Sequence, residues 1–263
     1  MKARPSELPR ADRFWGDRLW GRLLFSPSRQ HIACAKERFE QPVGSESVEL
    51  WLEECGPHGA QPALLVLRLL GARGRAELAT LDPIRYLPAL SSIIATVNTP
   101  GFSGARGHCT LSRYFAGIDA AYDAVATRFP GAAIWVHGKS IGGFGALYLA
   151  ATRSPRGIIV RNVVDVSGIA AARVGRLGRT FIPKALDARR WAAHAHCPAL
   201  FVVSSNDGLA QPAIQQKVID LYGGQASVLK VSGSHDDREL TPVDVPRYAE
   251  AVRQLWAAVG SST

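Results

Sequence analysis

Residues Ala132-Ala133-Ile134-Trp135-Val136-His137-Gly138-Lys139-Ser140-Ile141-Gly142-Gly143-Phe144-Gly145-Ala146-Leu147-Tyr148-Leu149-Ala150 carry the strongest signal in the chain. The apolar run up to Val136 reads as a buried strand, and the Ala/Leu-rich run from Ala146 reads as a helix. Between them stands G-x-S-x-G, from Gly138 to Gly142, with a third glycine at Gly143. A strand can turn this sharply into a helix only where the residues flanking the tip lack bulk and the tip residue accepts strain. Ser140 at that tip would stand clear of the sheet edge, and the Ile141 N–H would face the space where a tetrahedral oxyanion forms. A glycine-rich structural turn can share the motif by chance. The strand before it and the helix after it favour Ser140 as a nucleophile.

A serine hydroxyl needs a base and a residue that orients the base, here in the downstream order Ser, Asp, His. The buried strand Pro198–Val203 ends in Ser204-Ser205-Asn206-Asp207-Gly208, a loop with turn chemistry. The strand Ala226–Val231 ends in Ser232-Gly233-Ser234-His235-Asp236-Asp237. Asp207 and His235 therefore both follow the carboxyl ends of strands, the edge where open α/β sheets assemble their sites. Asp165, after the run Gly157–Val164, is the competing acid; Asp207 is preferred for the turn residues around it. Asp236 and Asp237 read as solvated loop carboxylates, because neighbours in sequence seldom orient each other's rings. His194, His196 and Cys197 lack a fourth ligand with suitable spacing, so no metal is expected. His137 reads as packing beneath the turn, and Lys139 as a solvent or rim residue.

Several segments together resemble the α/β-hydrolase superfamily, particularly its single-domain, short-lid serine hydrolases. They are His137–Gly143 ("HGKSIGG"), "NTPGFSGARG" from Asn98, "SSNDGLAQP" from Ser204 and "SGSHDD" from Ser232. The likeness covers about residues 37–258. It implies a mostly parallel doubly wound sheet flanked by helices, a Ser140/Asp207/His235 triad and hydrolytic chemistry through an acyl-enzyme, with no cofactor. One departure is visible. The strand before the first helix commonly ends in His-Gly in this family, and here Leu70 precedes Gly71. Because the second oxyanion donor is a backbone N–H, Ala72 is its candidate.

At 263 residues and 47 % hydrophobic content, the chain can bury one large α/β domain. Residues 1–36 read as an N-terminal extension and 37–263 as the hydrolase domain, with a small helical lid at about 168–195. Arg68 interrupts the longest apolar run, so a soluble chain without a spanning helix is expected. Four scattered cysteines without C-x-x-C spacing point to reduced thiols and a cytoplasmic setting. The net charge of +9 is spread along the chain, with no basic helix, RNA-reading aromatic motif or metal finger. No nucleic-acid partner is expected. The excess charge suits anionic substrates or an acidic membrane surface.

Trp15, Leu19 and Leu23 share a helical face. This makes residues 13–25 a candidate for docking on the body, the commoner fate of such a stripe, or for peripheral membrane contact. Strands are expected near 37–43, 48–54, 63–71, 92–98 and 157–165, and helices at 76–90 (kinked or split by Pro83 and Pro88), 115–128 and 246–259. Arg73 and Arg106 are candidates for binding an anionic group, and Phe181 and Ile182 for lining an acyl pocket. The expected reaction is cleavage of a small-molecule or acyl ester, thioester or amide. A non-catalytic binding protein and an acyltransferase on the same fold are the rivals. The sequence leaves the oligomeric state open.

Overall fold

The computed structural model describes residues 16–260, except 31 and 58–60. Eight strands form one sheet: β1 (Glu37–Val43), β2 (Glu46–Cys55), β3 (Leu64–Leu69), β4 (Ser92–Asn98), β5 (Ala133–Lys139), β6 (Gly157–Arg161), β7 (Ala199–Ser204) and β8 (Ala226–Val231). Their order is β1-β2-β4-β3-β5-β6-β7-β8. β2 runs antiparallel to β1 and β4, and every other pair is parallel. Parallel strands are joined by crossovers that cover both faces, so their sequences read as continuous apolar runs. In β3, Leu65, Leu67 and Leu69 enter one core, whereas Leu64 and Val66 enter the other. Successive side chains point to opposite faces.

The first core also takes up buried residues of α1 (Asp17–Leu24), α2 (Leu111–Arg128), α3 (Ile141–Thr152), α5 (Ala188–His194) and α6 (Pro212–Ile219). The second is closed by α7 (Asp244–Gly260), through Tyr248, Val252, Leu255 and Val259. α4 (Val166–Val174) begins just beyond β6. Among the described residues, no helix is long and apolar enough to cross a membrane.

Several expectations are corrected. Residues 76–90 form no kinked helix, only the 3₁₀ turns Ala76–Leu78 and Ile84–Tyr86. Pro83 and Pro88 each remove a helical donor within so short a span. The strand expected over 157–165 stops at Arg161, because Asn162 adopts φ 51° and turns its side chain to β7. Asn162 Nδ2 donates to Ser204 Oγ, and its Oδ1 accepts from the Ser204 N–H. Only part of 168–195 is peripheral: Ala188, Trp191 and Ala192 of α5 lie in the core, with Trp191 against Phe115 and Tyr148.

The described part of the N-terminal segment, from Gly16 on, packs on the body, through a different face from the expected one. Leu19 and Leu23 are exposed, whereas Trp20 and Phe25 are buried; Trp15 lies outside the described residues. The Asp17 carboxylate accepts from the Ser112 N–H and hydroxyl, both at 2.7 Å, at the N-terminus of α2. Carboxylates are favoured at that end of a helix, where N–H groups lack acceptors. This contact sets the rotation of α1. Gly21 then meets the chain at Cys109, where an added Cβ would lie 2.4 Å from the Cys109 carbonyl oxygen.

Candidate active site

Ser140 sits between β5 and α3 at φ 59°, ψ −122°, a left-handed conformation that costs a non-glycine residue about 1–3 kcal/mol. Its glycine neighbours are demanded by close approach. A Cβ on Gly138 would lie 2.0 Å from the Gly142 carbonyl oxygen, and one on Gly142 would lie 2.2 Å from that of Leu69. Ser140 thus projects where β5, α3 and the chain leaving β3 converge. Ile141 is the first residue of α3, so its N–H has no acceptor within the helix and lies at the positive end of the dipole.

The structure brings the three distant residues together. Ser140 Oγ is 2.8 Å from His235 Nε2, and His235 Nδ1 is 2.7 Å from Asp207 Oδ2. Asp207 is 2 % exposed, and its other oxygen accepts from the Leu209 and Ala210 N–H groups. Since that carboxylate accepts at Nδ1, the proton belongs on Nδ1 and the Nε2 lone pair faces the serine hydroxyl. Asp165 takes no part: Arg189 pairs with its Oδ2 at 3.1 Å, and the Ala188 N–H donates to its Oδ1.

Lys139, and Arg161, which sequence reasoning did not single out, hold the histidine loop. Lys139 is not a free rim residue, because its Nζ donates to the Asp237 carbonyl at 2.6 Å. Burial, with the Arg161 charge beside it, brings its ammonium down to about 8. Arg161, 7 % exposed, donates to the carbonyls of Asp237, Arg238 and Glu239. The expected strand runs past Arg161 to residue 165, and no local signal ties Arg161 to a loop 76 residues further on. His137 is buried as expected, and burial together with the Arg68 and Arg161 charges holds its pKa well below the usual value.

The turn after β3 supplies the other side of the site. Gly71-Ala72-Arg73-Gly74 is closed by the Gly74 N–H donating to the Gly71 carbonyl at 2.9 Å. A Cβ on Gly71 would lie 3.5 Å from the Ser140 Cβ, so the turn abuts the serine. A buried cluster beneath fixes it. Glu77 accepts from Arg75 at 2.6 Å, Ser103 at 2.5 Å and Asn98 at 3.0 Å, and the Ala76 N–H donates to Asn98 Oδ1 at 3.0 Å. Burial would raise the Glu77 pKa, but these donors outweigh it and bring the carboxyl down to about 2.

The remaining predicted site residues are dispersed. Arg73 is exposed in the turn beside Ser140. Arg106 pairs with Glu40 of β1, and its backbone exchanges hydrogen bonds with Ser47 of β2, three strands from β5. Phe181, expected to line a pocket, is 70 % exposed, while Ile182 packs against the first core. His194 and His196 turn to the carbonyls of Arg190 and Gly223. Among the described residues, no cluster of His, Cys, Asp or Glu is arranged to hold a metal.

A mostly parallel sheet with β2 reversed, bearing a serine at the turn from β5 to α3 and an aspartate and a histidine after β7 and β8, is the α/β-hydrolase fold. Solved structures agree. Est1E from Butyrivibrio proteoclasticus, with ferulic acid bound, superposes at a TM-score of 0.68 with 13 % identity, over 83 % of this chain and 99 % of that one. The Pyrococcus furiosus esterase Pf2001 superposes at 0.69 with 12 % identity, over 89 % and 98 %. XC6422 from Xanthomonas campestris, an α/β serine hydrolase without a lid, gives 0.58 with 15 % identity, over 86 % and 96 %. No family model matches the sequence, and no curated protein matches it.

Proposed function

We propose that the protein is a serine hydrolase that cleaves a carboxylic ester or thioester through an acyl-enzyme. The relay Ser140–His235–Asp207, at 2.8 and 2.7 Å on a strained turn, carries this reading. His235 Nε2 takes the hydroxyl proton as Ser140 Oγ attacks the acyl carbon, and Asp207 stabilises the imidazolium. The Ile141 and Ala72 N–H groups receive the oxyanion. As the tetrahedral adduct collapses, Nε2 returns its proton to the departing oxygen or sulfur. Water then repeats the attack and frees the acid; an acceptor alcohol in place of water would make the same relay a transferase. Arg73, beside this turn, is the candidate contact for an anionic substrate group.

A fluorophosphonate tests the reading, since it labels a serine only where a base activates the hydroxyl and N–H donors stabilise the adduct. We expect one labelled site, mapped by peptide mass spectrometry to Ser140 and lost in Ser140→Ala and His235→Ala. Absence of labelling in folded protein would favour the non-catalytic binding protein instead.

A further inference from the structure

We infer that the strap Phe25–Gln30, which precedes the sheet, forms a wall of the proposed active site, with Phe25 limiting the length of acyl group accepted. This rests on the hydrolase reading above. Beside the Gly71–Gly74 turn opens a cleft lined by Phe25, Leu69, Leu70, Gly71, Gly74, Val97, Thr99, Phe102 and Tyr114. Its lining is apolar apart from Thr99 and the Tyr114 hydroxyl, and that hydroxyl is engaged with the Ile141 carbonyl at 3.2 Å. The cleft shares Gly71 with the surroundings of Ser140, so a group bound there can remain attached to the reacting carbon.

Sheet order assigns the cleft to the acyl side. Asp207 and His235 follow β7 and β8, on one side of β5, whereas the cleft lies at the ends of β3 and β4 on the other. The leaving group must lie where His235 Nε2 can protonate it. The opposite side is left for the acyl chain. The cleft's own free interior is small, about 20 Å³, room for roughly one water-sized group before it opens to solvent. Short, uncharged acyl groups such as acetyl to butyryl therefore fit the site best.

Phe25 closes the cleft and is held firmly. Its ring packs 4.7 Å from that of Tyr114 and edge-on to Phe102 at 6.4 Å, and it is 4 % exposed. On its carboxyl side the strap is bound to both loops of the site. The Ser26 N–H donates to the Ala72 carbonyl at 2.9 Å, and the Ser103 N–H donates to that of Ser28 at 2.8 Å. Arg75 donates to Ser28 Oγ at 3.0 Å and to the Gln30 carbonyl at 2.5 Å. A ring fixed in this way stops a growing chain instead of yielding to it.

The test is hydrolysis of p-nitrophenyl esters from acetate to decanoate by wild type, Phe25→Ala, Phe25→Leu and the exposed control Leu23→Ala. In wild type we expect kcat/KM to fall beyond butyrate by roughly tenfold or more for each methylene that no longer fits. Within each variant the ratio of kcat/KM for octanoate to that for acetate is the readout: Phe25→Ala should raise it by about tenfold or more over wild type, Phe25→Leu should lie between, and Leu23→Ala should match wild type. If Phe25→Ala fails to fold, the shift in Phe25→Leu decides. A wild type with no esterase activity and no fluorophosphonate label at Ser140 would sink the hydrolase reading and the inference with it. A labelled, active wild type whose chain-length profile is unchanged by substituting Phe25 would overturn the inference alone.

Discussion

Asp165 and Asp207 are both buried aspartates beyond strand ends, yet their hydrogen bonds commit them to different work. Asp207 keeps one oxygen for its own loop and one for His235, while Asp165 holds Arg189 and the start of α5. Asp207→Asn should lower turnover about 10⁴-fold with the fold intact, because an amide no longer enforces the required imidazole tautomer. Asp165→Asn should instead lower the urea midpoint and leave most of kcat. The opposite ranking in folded variants would reassign the acid. The sequence could propose Asp207 from its turn-rich loop. It could not show which carboxylate another side chain had already claimed, since Arg189 lies 24 residues further along the chain from Asp165.

Among the elements, those built on backbone periodicity were legible and those fixed by single contacts were not. The apolar runs of β3 to β7 and the turn around Ser140 follow from burial on both faces and from close backbone approach, which leave their mark on composition. The rotation of α1, the 3₁₀ turns of residues 76–90 and the anchoring of the histidine loop depend on contacts such as Asp17 with Ser112 and Arg161 with the carbonyls of residues 237–239. That loop offers a direct measurement. Removing the guanidinium in Arg161→Ala takes away the donor shared by the carbonyls of residues 237–239 and leaves Lys139, on the Asp237 carbonyl, to hold the loop. Hydrogen exchange should quicken in residues 232–239, and kcat should fall with KM little changed. Arg161→Lys should recover part of kcat. An unchanged exchange pattern in Arg161→Ala would show that Lys139 suffices as the anchor.

Across the whole molecule, Glu77 joins the segment before the sheet, the turn after β3 and the loop after β4 through Arg75, Asn98 and Ser103. Its carboxyl falls from 4.5 to about 2 on folding. Between those values the unfolded chain binds more protons than the folded one, so stability rises with pH across this window. The contribution is complete above the unfolded value and disappears as pH falls through about 2; it amounts to roughly 3 kcal/mol. The stability difference between wild type and Glu77→Gln, from urea unfolding, should shrink as pH falls from 5 toward 2. A constant difference would mean that the carboxylate charge contributes nothing to joining the three segments.

The relay around Ser140 also has an order in time. Its serine, aspartate and histidine stand at the ends of β5, β7 and β8, and a ribosome makes them in that order. Ser140 is therefore synthesised well before His235, and the two meet only when the strands between them have taken their register. On the proposed mechanism, a nascent or half-folded chain holds the serine without the imidazole and cannot turn over an ester. If the proposed relay is the catalytic one, turnover begins only with completion of the sheet, so recovery of activity during refolding should report the arrival of β8 rather than the making of the serine turn.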